Sequence, residues 1–207
     1  MHYTQIEAPR LLAASGSELR PVACRVAQTF RSPTPELIAR AGSVRAPDIG
    51  IGRVRSAGAW TDTRVHRQIG TALGTRLQPA LRETFDWYLC RGAFFHTDAH
   101  YSNVLFGVWY IDGPAMDIAF ARAGVRVSAH PGTLVIFDPF EVHGVLRHGA
   151  ASYRAEDYLT GDSSVFVGFE LELDESVRAS FEMTAAPSSA RVISSATRVS
   201  STSGAFE

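Results

Sequence analysis

The sequence predicts a mainly β fold, a sandwich or barrel, behind a helical N-terminal region. Three observations carry that expectation. Short apolar runs crowd the second half of the chain, turn residues separate them, and apolar residues recur at helical spacing before them. At 207 residues the chain has room for one domain with its own core.

The first helix signal is Thr34-Pro35-Glu36 through Gly42, where Thr34 can cap, Pro35 suits the first helical position and Gly42 suits the stop. The rest of residues 1–60 is irregular. From Asp62 to Leu89, Val65, Ile69, Leu73, Leu77, Leu81, Phe85 and Leu89 form one helical face. Pro79 lacks an N–H and crowds the preceding turn, so two helices or one kinked helix are expected there.

After residue 90 come the runs GAFFHTD, NVLFGVWYIDGP, MDIAFARAG, VRVSAHPG, TLVIFDPF, VHGVLRHG and SVFVGFELELDE. Asp112-Gly113-Pro114 and His130-Pro131-Gly132 supply turns between them. The last run alternates Val165, Val167, Phe169, Leu171 and Leu173 on one side, with Gly168, Glu170 and Glu172 opposite. That predicts a strand with one core face and one partly wet face. Ten of the last twenty-four residues are Ser or Thr, which predicts a flexible tail over 184–207. The expected organisation is one domain over 1–183, mostly helical over 1–90, with the β core at 91–175.

Composition narrows the function. Twenty basic residues against twenty-one acidic ones give a formal charge of −1, which disfavours nucleic acid and anionic lipid as partners. All twenty basic residues are arginine, so lysine Schiff-base chemistry and a Walker A lysine are excluded. No apolar run approaches the roughly 18 residues of a membrane span. The start MHYTQIEAPRLL has no secretory pattern, and Cys24 and Cys90 form no CxxC pair, so a reducing cytoplasm is the expected compartment.

The candidate chemistry lies in His96-Thr97-Asp98 and His143. On a strand, residues i and i+2 share a face, so His96 and Asp98 project together. If His143 faces them, two neutral imidazoles and one carboxylate can cover one face of an octahedral metal and leave three positions open. The HxD tripeptide alone is weak; its context is not. A helical preface precedes GAFFHTD, about thirty residues of short strands follow, and PGTLVIFD leads into VHGV. Over residues 85–175 the sequence thereby resembles the Fe(II)/2-oxoglutarate-dependent oxygenases.

That resemblance implies a double-stranded β-helix, a jelly-roll or cupin-like barrel, with iron held by His96, Asp98 and His143. It implies 2-oxoglutarate and O2 as co-substrates and hydroxylation of an unactivated C–H as the outcome. It also implies a basic residue gripping the far carboxylate of 2-oxoglutarate. Arg154 matches the family spacing after His143, but AEDYLTGDS separates it from the last strand; Arg147, which shares strand parity with His143, is the rival. Retention of Asp98 speaks against the halogenating branch, which gives up that carboxylate. Tyr101 and Asn103 lie just beyond the metal pair, where a hydroxyl and an amide could touch the co-substrate.

Other residues have ordinary readings. His2, His66, His130 and His148 are expected at the surface or in structural hydrogen bonds, and His100 would join His96 only on a helix. Trp87, Trp109 and Tyr110 are expected in the core; Phe137 and Phe140 could line a pocket or fill it. The expected substrate is a small molecule such as an amino acid or metabolite. A cupin-like isomerase or substrate-cleaving dioxygenase would need the triad without the clamp, and a non-catalytic ligand-binding barrel would need neither. Oligomeric state is not legible in these patterns.

Overall fold

The computed structural model describes residues 6–13, 19–45, 49–98, 101, 103–121, 124–161, 163–185 and 198–205. In chain order the strands are β1 (Ile6–Ala13), β2 (Leu19–Phe30), β3 (Val54–Thr61), β4 (Thr84–Cys90), β5 (Ala93–His96) and β6 (Val104–Asp112). They continue with β7 (Met116–Phe120), β8 (Val125–Ala129), β9 (Thr133–Phe137), β10 (His143–Arg147), β11 (Ser164–Glu172) and β12 (Thr184–Ala185). Among the described residues three α-helices accompany them: α1 (Pro35–Val44), α2 (Thr63–Leu73) and α3 (Glu175–Ser180).

All the pairings among these strands are antiparallel. The larger sheet runs β1-β2-β9-β6-β11-β4-β3, with β12 paired to β2, and the smaller runs β5-β10-β7-β8. From β4 onward the chain crosses repeatedly between them, placing β4, β6, β9 and β11 in one sheet and β5, β7, β8 and β10 in the other. The result is a mainly antiparallel β architecture consistent with a sandwich.

Alternation along the strands builds two core layers. Leu105 and Trp109 of β6 join Val165, Val167 and Phe169 of β11 in a layer that also takes Leu37 and Ala41 of α1, Ile69 and Leu73 of α2 and Val177 of α3. The intervening Phe106 and Tyr110 of β6 and Phe166 of β11 pack with Met116, Ile118, Phe120 and Val127 of the smaller sheet. One face of the large sheet therefore carries the helices, and the other meets the small sheet.

Several expectations need correction. The described residues of the region 1–90 contain four strands besides α1 and α2 and are not mostly helical. Thr34 caps α1 as expected, accepting from Leu37 N–H, but the helix runs past Gly42 to Val44. Asp62 caps α2, whose end at Leu73 is followed by a single 3-10 turn at Gln78–Ala80 containing Pro79. Beyond it the expected helix is the strand β4, with Phe85, Trp87 and Leu89 buried. A spacing of four is the reason: Phe85 and Leu89 share a face in a helix and equally in a strand.

β11 is buried on both faces over Ser164–Phe169 because its second side meets the small sheet; only Glu170 and Glu172 reach water, where both pair with Arg82. The tail also differs from expectation in its described part. Phe95 N–H donates to Ser201 carbonyl oxygen at 3.0 Å, Gly204 is buried, and Val199 packs on the Phe95, Val142 and Leu146 cluster. Residues 198–205 thus cover the open edge of β5, where unpaired strand groups would otherwise face water.

Candidate metal centre

β5 ends on His96 and β10 begins on His143, and the two residues are direct cross-strand partners. Asp98 stands just past β5, fixed by its own N–H donating to Pro139 carbonyl oxygen at 2.7 Å. Its carbonyl oxygen accepts from Tyr101 N–H at 3.0 Å, which closes the turn.

Each imidazole is oriented by the main chain. His96 Nδ1 lies 2.7 Å from Phe94 carbonyl oxygen and His143 Nδ1 lies 2.8 Å from Glu141 carbonyl oxygen. A carbonyl only accepts, so Nδ1–H donates in both rings and Nε2 carries the lone pair. Both Nε2 atoms face Asp98: His96 Nε2 is 3.6 Å from Oδ1 and His143 Nε2 is 3.4 Å from Oδ2. The three ligand atoms lie within 4.8 Å of one another. Ligands bonded at about 2.1 Å on one face of an octahedron sit roughly 3.0 Å apart, so the arrangement needs only a small contraction to close on an ion. The donor set, two imidazole nitrogens of fixed tautomer and one carboxylate, fits a divalent first-row metal.

His143 is buried beside Phe137, ring centroids 4.7 Å apart, and Phe120; His96 and Asp98 are part-exposed. The triad opens into a cavity of about 370 Å³ with apolar walls from Phe106, Val108, Ile118, Phe137, Val145 and Phe166. Tyr88 and Tyr101 add the polar contrast, their hydroxyls 2.8 Å apart and Tyr101 stacked on Phe106. Burial holds both phenols above their ordinary pKa, so they remain neutral hydrogen-bonding groups. Cys90 also lines the cavity, and burial pushes its thiol up to about 12.

The other expected site residues fall elsewhere. Arg154 is a surface residue, its side chain 65% exposed and forked onto Asp157 three residues on. Arg147, the exposed last residue of β10, lies beyond the cavity lining, and Asn103 is exposed with a left-handed backbone. Family spacing pointed to Arg154, but it lies between β10 and β11, just before the 3-10 turn Ala155–Tyr158, and does not open the last strand. Phe137 lines the cavity, whereas Phe140 is buried outside its lining. Trp87, Trp109 and Tyr110 are core, His148 pairs with Asp117, and His66 meets Leu81 carbonyl oxygen. His2 and His100 lie outside the described residues.

Sequence reasoning missed Tyr88 and Arg53, both of which line the cavity. Tyr88 lay in the stretch read as helix, and Arg53 lay in the irregular stretch. The only signal for Arg53 was Gly50-Ile51-Gly52 before it, a turn pattern.

No family model matches the chain, and no curated protein matches it. Among solved structures, it is similar to a Pseudomonas putida prolyl-4-hydroxylase at TM-score 0.32 and 15% identity, over 79% of this chain and 78% of that one. It is similar at the same TM-score and identity to an oxidoreductase of the 2OG-Fe(II) oxygenase family from Burkholderia pseudomallei, over 80% of this chain and 72% of that one. No described helix is long and apolar enough to cross a membrane.

Proposed function

We propose that this protein is a non-haem Fe(II)- and 2-oxoglutarate-dependent dioxygenase that hydroxylates a small molecule such as an amino acid or metabolite. The observation that carries the reading is the pair of main-chain-anchored imidazoles whose Nε2 atoms converge on Asp98 at the head of an apolar cavity. The passage of β4–β11 back and forth between two sheets supports a double-stranded β-helix in a single domain, which the pairing of β12 with β2 and the packing of residues 198–205 on β5 carry past the expected end at residue 183.

In this reading His96, Asp98 and His143 hold the iron, which when bound supplies oxygen activation at the positions the three side chains leave open. The chain's own contributions are positional. Phe94 and Glu141 carbonyl oxygens fix the ring tautomers, and Asp98 supplies one of the two negative charges that a divalent ion calls for. The apolar walls limit water around the reacting C–H, while Tyr88 and Tyr101 offer hydroxyls to a polar group of a bound ligand. A cupin-like metalloenzyme without 2-oxoglutarate is the second reading, favoured by the position of Arg154 and Arg147 away from the cavity.

The test is succinate release from 2-oxoglutarate by the Fe(II)-loaded protein across a panel of amino acids and small carboxylates. Substrate-dependent succinate supports the proposal. Product formation from a panel member with no 2-oxoglutarate consumed supports the cupin-like reading instead.

A further inference from the structure

We propose that Arg53, at the cavity rim just before β3, binds the terminal carboxylate of a 2-oxo diacid whose other end sits at the His96, Asp98 and His143 centre. The inference rests on the dioxygenase reading and assigns its co-substrate anchor to a part of the chain remote in sequence from the metal ligands.

Arg53 is the only cationic side chain lining the cavity, and no ion pair joins it to a carboxylate among the described residues. Its position is built into the main chain. Gly52 N–H donates to Arg91 carbonyl oxygen at 2.9 Å and Arg91 N–H donates to Arg53 carbonyl oxygen at 3.2 Å, locking the Gly50–Arg53 turn to the β4–β5 connection. Gly52 takes φ +72° there, and a Cβ at that position would collide with the Tyr153 hydroxyl, so the turn requires glycine. β11, by contrast, offers the cavity only Phe166 and has no basic residue.

The span fits a short diacid. The Arg53 guanidinium lies 5.9 Å from the Phe94 ring centroid, and that ring lies 6.2 Å from the His96 ring, so guanidinium and imidazole are at most about 12 Å apart. That upper limit admits a short diacid, bonded to a metal at ~2.1 Å at one end and held by a charge-assisted hydrogen bond of ~2.8 Å at the other, and excludes a long-chain one. Between the two ends the walls are aromatic and aliphatic, suited to methylene groups. A guanidinium fork pairs both oxygens of a carboxylate, which gives one fixed ligand orientation.

The experiment is an anaerobic titration of the Fe(II)-loaded full chain, following the visible charge-transfer band, with 2-oxoglutarate and with 2-oxobutyrate, which lacks the distal carboxylate. Arg53→Gln should weaken 2-oxoglutarate by about tenfold or more and leave 2-oxobutyrate unchanged. Arg53→Lys should recover part of the loss, and Arg147→Gln and Arg154→Gln should match the wild type. Fe(II) binding and the circular dichroism spectrum, unchanged in Arg53→Gln, separate this effect from misfolding. Equal 2-oxoglutarate affinity in wild type and Arg53→Gln, or equal loss for both oxo acids, overturns the assignment and leaves the dioxygenase reading standing. A wild-type protein that binds Fe(II) but develops no band with either oxo acid overturns both.

Discussion

His96 and His143 sit directly opposite each other in the β5–β10 pair, with ring centroids 4.5 Å apart. The register is irregular next to them: Val145 faces Ala93, so β5 carries one residue more than β10 over this stretch. Such a bulge re-aims the side chains beside it, and here both Phe94 and His96 line the cavity while Phe95 packs away from it. The convergence of His96, Asp98 and His143 therefore depends on strand pairing as much as on the three side chains themselves.

Replacing His96, Asp98 or His143 singly with Ala should cost metal affinity by more than the about 10–100-fold typical of losing an outer hydrogen-bond partner. Fe(II) or Co(II) titration by calorimetry measures it. Asp98→Ala leaves both rings anchored to Phe94 and Glu141 carbonyl oxygens, so its thermal midpoint without metal should stay close to wild type. Retained metal affinity in any of the three variants would place the centre elsewhere.

Gly168 of β11 leaves room for a cavity side chain. A Cβ there would meet the Tyr88 ring and come 3.1 Å from Phe106. Gly168→Ala should cost about 1–3 kcal/mol by overpacking and displace the Tyr88 hydroxyl from Tyr101. Urea denaturation reads the first effect, and near-ultraviolet circular dichroism of the tyrosines reads the second.

Deleting residues 198–207 uncovers the β5 edge by removing the Ser201 acceptor of Phe95 N–H and the seat of Gly204 on Ala121 and Phe95. One lost main-chain hydrogen bond and partial exposure of Phe95 should together cost about 1–3 kcal/mol. Calorimetry should show a lower Tm, and metal affinity should fall with it because Phe95 adjoins His96. An unchanged Tm would mean that the segment does not hold β5.

Cys90 makes stability sensitive to alkali. The folded thiol keeps its proton up to about 12 against an ordinary 9.0, so above pH 9 the unfolded chain releases a proton that the folded chain retains. Stability should be full well below pH 9 and decline as pH rises through 9 toward about 12. Between pH 8 and 9, below most of the ordinary tyrosine titration, Cys90→Ala should flatten the slope of the urea midpoint against pH. An identical slope in both proteins would assign it to another group.

The strands after residue 90 were legible because turn residues bracket them and because their apolar runs are too short for helices. β9, buried along its whole length, reads as an apolar run after Thr133, and β7, equally buried, reads as one interrupted by Asp117. The clustering of His96, Asp98 and His143 was legible because the residue types are chemically specific and their spacing is set by strand lengths. β4 was not, since apolar residues four apart satisfy both periods and only the neighbours β3 and β11 decide between them. The packing of residues 198–205 was hidden by their composition, because a main-chain hydrogen bond to Phe95 and a buried glycine leave no apolar pattern. Arg53 was hidden because a turn locked to Arg91 is a tertiary relationship with no local period.

The most direct measurement of the central claim is the anaerobic absorption spectrum of the wild-type protein with one equivalent of Fe(II), before and after 2-oxoglutarate is added. The account predicts a weak visible charge-transfer band that saturates with 2-oxoglutarate and is absent from Asp98→Ala and His143→Ala. Stoichiometric Fe(II) binding with no band at any 2-oxoglutarate concentration, or a band that survives in both variants, would contradict it.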